Sequence, residues 1–427
     1  MEPVIGLDFG TTNSAIAVAD DDRQAALASF ADGPATTTSF RSILYFPARD
    51  RSLPQQKIET QAGPEAINSY LDAETKGRLI VSIKSYLASR LFTSTSINGR
   101  NYTLEDLIAI ILRRLRTAAM EQFGTSATQV VLGRPVRFSG ADDEAGEKLA
   151  LKRLTTAAEL AGFQQISFEL EPVAAAYQYE TQLDHDELVL IGDFGGGTSD
   201  FTLARLGPGR KKAGRSPVLG TSGVAIAGDT FDSRIMMRLV APKLGLGSHY
   251  ISLGKQLPVP VWVYSQLSSW HHMFLLKEPK TMAVLREVRN QATESEKVAA
   301  LVQIISENLG YALYRAVEQT KVQLTEKELA SFLFSQSIVQ LEDSLERWQF
   351  ESWIQDDIQN IATCVRSLLD QCGVKPADID SIFLTGGSSF VPVVRRFFSR
   401  TFGVDKLRSG EELTTVAKGL ALRAIEN

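Results

Sequence analysis

Cysteine is nearly absent. Cys364 and Cys372 are the only two in 427 residues. They fall in one predicted helix, about 12 Å apart along its axis, too far to bridge within it. That excludes a disulfide-stapled scaffold, and buried, reduced thiols in a cytoplasmic protein are expected. Histidine is as scarce: His185, His249, His271 and His272 show no metal-ligand spacing, and the adjacent pair sends its side chains in different directions. Long apolar runs are also missing. The longest, such as Leu107 to Leu112, are far too short to span a bilayer. A strand follows Met1-Glu2-Pro3 directly, so no signal peptide is expected. Positive charge is not in excess either. A net charge of −5 gives no general attraction to nucleic acid or an anionic membrane, and neither is expected as a partner. What remains is an ordinary globular composition, 44% hydrophobic and 22% charged, long enough for at least two domains.

Against that plain background one pattern occurs twice. Near the start the chain reads Ile5-Gly6-Leu7-Asp8-Phe9-Gly10-Thr11-Thr12-Asn13-Ser14, and later Ile191-Gly192-Asp193-Phe194-Gly195-Gly196-Gly197-Thr198-Ser199-Asp200. Each is an apolar strand ending at an Asp, a turn of Gly and Thr, and a second apolar run. Glycine lets amide groups approach an anion closely, and consecutive N–H groups in such a turn form a nest for phosphate. Thr11, Thr12 and Thr198 add hydroxyl donors. Asp8 and Asp193, at the strand ends, suit a hard cation such as Mg2+ held through its water shell. One such loop is common in plain hairpins; two, one in each half of the chain, imply related lobes holding one nucleotide.

The rest of the chain alternates strands and helices. Strands are predicted over 4–19 and roughly 26–46, joined by Asp20-Asp21-Asp22, with a loop over 47–64. A helix begins after Thr103, with Asp106 three residues on and Leu104, Leu107, Ile108, Ile111, Leu112 and Leu115 at helical spacing; Gly124 ends it. Then follow a strand at 130–136, a helix at 142–161 closed by Gly162, a strand at 166–170, and a small-residue helix after Glu171-Pro172. The second half opens with a strand at Glu187 and a hairpin whose basic loop, Arg210 to Arg215, reads as solvated. A helix is expected over 228–241, mostly helices over 242–330, a long helix over 351–372 closed by Gly373, a strand at 382–384, and helices from Pro392 and over 415–425. Trp262, Tyr264, Trp270 and Phe274 read as core. The pattern indicates an α/β protein of two similar lobes. The first lobe is placed at 1–184, with 413–427 returning to it. The second is placed at 185–412, with a largely helical subdomain over 242–330.

These segments, with Glu171-Pro172-Val173-Ala174-Ala175-Ala176-Tyr177 and Leu384-Thr385-Gly386-Gly387-Ser388, resemble the nucleotide-binding domain of DnaK-type heat-shock chaperones, within the actin-like ATPase superfamily. Gly133-Arg134-Pro135-Val136 and the short length are most similar to the YegD-type branch. The resemblance covers essentially the whole chain. It implies a two-lobed actin-like ATPase fold, each lobe a mixed sheet flanked by helices, with helical subdomain insertions. It implies ATP/ADP and Mg2+ as ligands. Asp8, Glu171 and Asp193 would hold the magnesium waters, and Gly10, Thr11, Thr12, Asn13, Gly195, Gly196, Gly197 and Thr198 would cradle the phosphates. Lys84 aligns with the family's catalytic lysine, and Asp200 is the candidate for orienting or deprotonating the attacking water.

On the adenosine side the resemblance places Gly228, Glu318, Lys321, Thr325, Gly386, Gly387, Ser388 and Phe390. Val322 and Phe390 stand where the family carries arginines, so apolar contact replaces cation stacking; Leu413 replaces an acidic residue. The family continues into a peptide-binding domain, and this sequence ends at Asn427, so none is expected. Four readings share the fold, which alone does not choose among them. The first is a slow ATPase whose Mg-ATP/ADP state switches lobe closure and binding of a protein partner. The others are a non-catalytic nucleotide-binding module, a small-molecule kinase and a filament former.

Overall fold

A computed structural model describes residues 4–20, 24–33, 35–48, 59–73, 77–126, 128–141, 143–180, 183–209, 218–269, 276–408 and 415–426. The basic run at 210–215, Trp270, His271, His272, Phe274 and Leu413 lie outside the described residues. By contact density the chain divides into two compact units. The first is 1–227, 360–389 and 394–427; the second is 228–359 and 390–393. The expected boundary at 184/185 falls inside the first unit.

Two main sheets, beside three smaller ones among the described residues, organise that unit. One contains β1 (Val4–Phe9), β2 (Asn13–Ala19), β3 (Ala25–Leu27), β4 (Gln129–Arg134) and β5 (Gln165–Leu170), in the order β5-β4-β1-β2-β3. The other contains β6 (Glu187–Phe194), β7 (Ser199–Leu206), β8 (Val218–Val224), β9 (Ser381–Thr385) and β10 (Leu407–Arg408), in the order β10-β9-β6-β7-β8. The pairing is the same in both. The central strand runs parallel to β4 or β9 on one side and antiparallel to β2 or β7 on the other. The duplication seen in sequence is therefore a duplication of sheet topology.

Helix positions follow from local chemistry. In α1 (Leu104–Phe123) the Thr103 hydroxyl accepts from the Asp106 amide at 3.1 Å and the Asp106 carboxylate accepts from the Thr103 amide at 2.9 Å, the expected capping box; Gly124 closes the helix in the left-handed region. α2 (Glu144–Ala161) is capped by Asp143 and ended by Gly162. These helices bury Leu107, Ile108, Ile111, Leu112, Leu115 and Leu154 against Ile5, Leu7 and Leu132 of the first sheet. A second cluster joins the two sheets: Val131 of β4, Val189 and Ile191 of β6, Ala204 and Leu206 of β7 and Phe383 of β9 meet Ala174 to Ala176 of α3 (Glu171–Glu180). The last helix, Thr415–Glu426, adds Val416 and Leu420 to that cluster. At Gly419 it comes so close to α3 that a Cβ would sit 1.8 Å from the Ala174 carbonyl oxygen. The obstruction is backbone and cannot rotate away. Gly419→Ala is expected to lower stability by about 1–3 kcal/mol in urea denaturation; an unchanged midpoint and slope would show that α3 yields freely.

In the second unit the described residues of 242–330 are mostly helical, with helices Val261–Leu267, Pro279–Gln291, Ser295–Ser306 and Gly310–Glu326, but one hairpin interrupts them. Strands His249–Ser252 and Lys255–Pro258 form a hairpin, because Leu253 and Gly254 both take positive φ, as a tight two-residue turn requires. A second hairpin, Leu329–Gln336 with Val339–Glu346, follows α4 (Gly310–Glu326). The helix expected over 228–241 is α-helical to Ile235, widens to a π turn over Met236–Val240 and tightens to 3-10 over Ala241–Leu244, where Pro242 has no amide to donate. The long helix at 351–372 is two pieces, Arg347–Trp353 and Gln355–Gln371, separated at Ile354. Tyr264 is core, its hydroxyl donating to the Leu244 carbonyl at 2.9 Å, whereas Trp262 is exposed. Both cysteines are free and half-buried rather than buried. Among the described residues no helix is long and apolar enough to cross a membrane.

Candidate functional site: a buried carboxylate cluster at two like hairpins

The two Asp-Gly turns occupy equivalent places. Asp8 pairs with Ala15 across β1–β2, and Asp193 pairs with Asp200 across β6–β7. The first turn is pinned by Ser42, whose hydroxyl donates to the Gly10 carbonyl at 2.7 Å and lies 2.8 Å from the Ser14 hydroxyl. The second is closed by the Gly195 amide donating to the Thr198 carbonyl at 3.0 Å. At the end of β9, Gly386 has φ +82°, and a Cβ there would meet the Phe194 carbonyl oxygen at 2.1 Å. Only glycine lets this backbone lie against the end of β6.

Around these turns the structure gathers Lys84, Glu171, Asp193, Asp200 and Asp8. The Lys84 ammonium donates to Glu171 Oε1 at 2.7 Å, and each side chain is only about a tenth exposed (9% and 10%). Thr385 Oγ1 donates to Asp193 Oδ1 at 2.6 Å, and Thr198 Oγ1 donates to Asp200 Oδ2 at 2.9 Å. Four carboxylates share one cation, and the electrostatics show it. Burial, then Glu171, push the Asp8 carboxyl up to about 8, despite Lys84. Burial and Glu171 push Asp193 up to about 6, with Thr385 and Lys84 opposing. Burial and its cross-strand neighbour Asp193 push Asp200 up to about 7. Burial lowers Lys84, but Glu171 and Asp8 reverse that and hold it above its ordinary value. Like charges directly opposite on paired strands repel, so the Asp193–Asp200 pair stores negative potential.

Among the described residues no three carboxylate, imidazole or thiolate groups lie close enough to grip a bare ion. The donor set nevertheless suits Mg2+ that keeps its waters: all hard carboxylate oxygens, under-compensated in charge, with the buried Thr12 hydroxyl lacking a partner.

Of the residues expected on the adenosine side, Gly386, Gly387 and Ser388 lie in the first unit, and Gly228, Glu318, Lys321, Thr325 and Phe390 lie in the second. The Lys321 ammonium donates to Asp232 Oδ2 at 2.7 Å and to the Gly228 carbonyl at 3.3 Å, and Tyr314 also donates to Asp232 at 3.1 Å. Glu318 accepts from Arg315 at 3.2 Å, and Thr325 donates to the Val322 carbonyl at 2.7 Å. Val322 and Phe390 are exposed, at 55% and 41%. Sequence reasoning missed Ser42, Asp232, Tyr314 and Thr385. Thr385 stood inside a quoted motif and Asp232 four residues after Gly228. The pairing of Asp232 with Lys321, 89 residues away, has no local signal.

Comparison with known proteins identifies the family of the chain. The family model described as Hsp70 protein matches residues 4–243 and 289–425. The chain is 27% identical over 425 residues to the chaperone protein DnaK of Thermosipho africanus, covering 99% of this chain and 59% of that relative. It is 25% identical over 438 residues to the chaperone protein DnaK of Deinococcus proteolyticus, with the same coverage. The chain thus spans about three-fifths (59%) of the length of the curated relatives it matches. It belongs to the Hsp70 family and has the two-lobed actin-like ATPase fold of that family.

Proposed function

We propose that the chain binds Mg-ATP at the two Asp-Gly turns, cleaves the γ-phosphate slowly, and uses the ATP/ADP difference to switch lobe closure and the binding of a protein partner. The observation that carries this reading is the buried cluster of four carboxylates and one lysine at the ends of two equivalent hairpins. Gly10 to Asn13 and Gly195 to Thr198 supply amides and hydroxyls to the phosphates. Asp8, Asp193 and Glu171 would hold the magnesium waters, and the ion would offset phosphate charge. Asp200, whose pKa near 7 suits a base working at neutral pH, orients the attacking water and takes its proton. The water oxygen forms a bond to the γ-phosphorus as the bond to the β-bridging oxygen breaks, leaving ADP and phosphate. Lys84, held charged by Glu171, neutralises the transferring group.

On the adenosine side the proposed contacts are Gly228, Glu318, Lys321 and Thr325, with Gly386 to Ser388 and Phe390. The relatives are chaperones by name, so the switch is proposed to serve a chaperone-like task. A second reading, nucleotide sensing without turnover, is favoured by exposed, uncharged Val322 and Phe390. Phosphate release from Mg-ATP by the purified chain, with ATP and ADP binding followed in parallel, separates the two. Slow release with both nucleotides bound is expected. Tight binding without release selects the sensor, and no binding of either nucleotide overturns both.

A further inference from the structure

Lys84 does not sit on a regular element. It lies in a short 3-10 turn, Ile83–Tyr86, entered through Ser82, which is buried and held at φ +51°. A non-glycine residue in the left-handed region is strained and persists only where its surroundings impose it. The loop that follows packs Ile83, Leu87 and Ala88 into the core, and its own backbone bonds are three short-range ones, Ser85 N to the Ser82 carbonyl, Leu87 N to Lys84 and Ser89 N to Tyr86, at 3.0–3.1 Å.

One side chain from elsewhere collects four carbonyls of this segment. Arg153, on α2, donates through one terminal nitrogen to the carbonyls of Tyr86, Leu87 and Ser89 at 3.2, 3.0 and 2.8 Å. Its other terminal nitrogen donates to the Phe92 carbonyl at 2.8 Å. Its side chain is only 12% exposed, and its Nε faces Glu105 of α1 at 3.5 Å, which balances the charge. A second tie, Arg90 to Asp143 at the start of α2, is more than half exposed and adds little. A planar guanidinium with donors in a fixed fork can gather four carbonyls in one geometry; an ammonium on a flexible stem cannot.

We propose that Arg153 is a positioning residue for Lys84: by gathering the carbonyls of residues 86, 87, 89 and 92 it fixes the strained turn from which the lysine meets Glu171. This rests on the reading of Lys84 as the cation of phosphoryl transfer. Arg153 bonds four loop carbonyls and faces Glu105, so acting through Lys84 its effect is expected on kcat and not on nucleotide affinity.

The test is a double-mutant cycle in single-turnover phosphate release from Mg-ATP, using Arg153→Gln, Lys84→Ala and the double variant, with ATP affinity measured for each. Arg153→Gln is expected to lower the rate about 10- to 100-fold with ATP affinity unchanged, and to have no further effect once Lys84 is Ala. Arg153→Lys, which keeps the charge, is the second variant should Arg153→Gln fail to fold, and it is expected to lose most of the rate as well. A full rate in the folded Arg153 variants overturns the proposal. So does a loss that persists undiminished in the Lys84→Ala background, because Arg153 then acts by another route. A Lys84→Ala variant with unchanged turnover overturns the reading beneath it, and this inference with it.

Discussion

Lys84→Ala is expected to lower phosphate release about 10²- to 10³-fold and to destabilise the nucleotide-free chain by about 3–5 kcal/mol. The two effects have different origins. The rate falls because the cation facing the transferred phosphoryl is gone. Stability falls because Glu171, 8% exposed and bound to Lys84 at 2.7 Å, is left as a buried charge among Asp8, Asp193 and Asp200. They can be separated. Lys84→Met combined with Glu171→Gln removes both members of the pair and replaces them by neutral groups of similar size, so most of the stability is expected to return while activity does not. Urea denaturation beside phosphate release checks this. If the double variant is as unstable as Lys84→Ala, the cost lies in lost packing and not in an orphaned charge.

The readable parts of this molecule are those whose signals are local. The capping box at Thr103, the left-handed glycines at 124, 162 and 373, and the Asp-Gly turns are each set by residues within a few positions of one another. The duplicated sheet was legible because its two central hairpins repeat the same short pattern. The hairpin at 249–258 was hidden because its turn is Leu253-Gly254, and a leucine at positive φ carries no turn signal. The site divides in the same way. Asp8 follows from its offset within the first hairpin and Asp193, Thr198 and Asp200 from theirs within the second, whereas Thr385 reaches Asp193 across 192 residues and Ser42 reaches Gly10 across 32. Such contacts belong to strand order and packing, which no window of sequence contains. Arg153 is the extreme case: it lies in an ordinary amphipathic helix, and its role comes from four carbonyls more than 60 residues earlier.

Asp200→Asn is expected to make the nucleotide-free chain more stable at pH 8.5 and to lower phosphate release about 10²- to 10⁴-fold. Unfolded, this carboxyl ionises near its ordinary 3.8; folded, burial and the facing Asp193 hold it at about 7. Between those values the folded chain keeps a proton that the unfolded chain has lost. The stabilisation is therefore full below about pH 4 and disappears as pH rises through 7. At pH 8.5 the folded chain bears the whole cost of an ionised Asp200 opposite Asp193, on the order of a few kcal/mol. Asparagine carries no charge, and its carbonyl oxygen still accepts the Thr198 hydroxyl bond now made to Asp200. The variant should therefore show a flatter stability–pH curve, gaining over the parent at pH 8.5 and matching it only near pH 4. Thermal denaturation at the two pH values decides the matter. A variant less stable than the parent at pH 8.5 would mean that the charge is well accommodated and that Asp200 is not the poised base. A gain in stability together with lost turnover would show the same carboxylate paying in folding for what it does in hydrolysis.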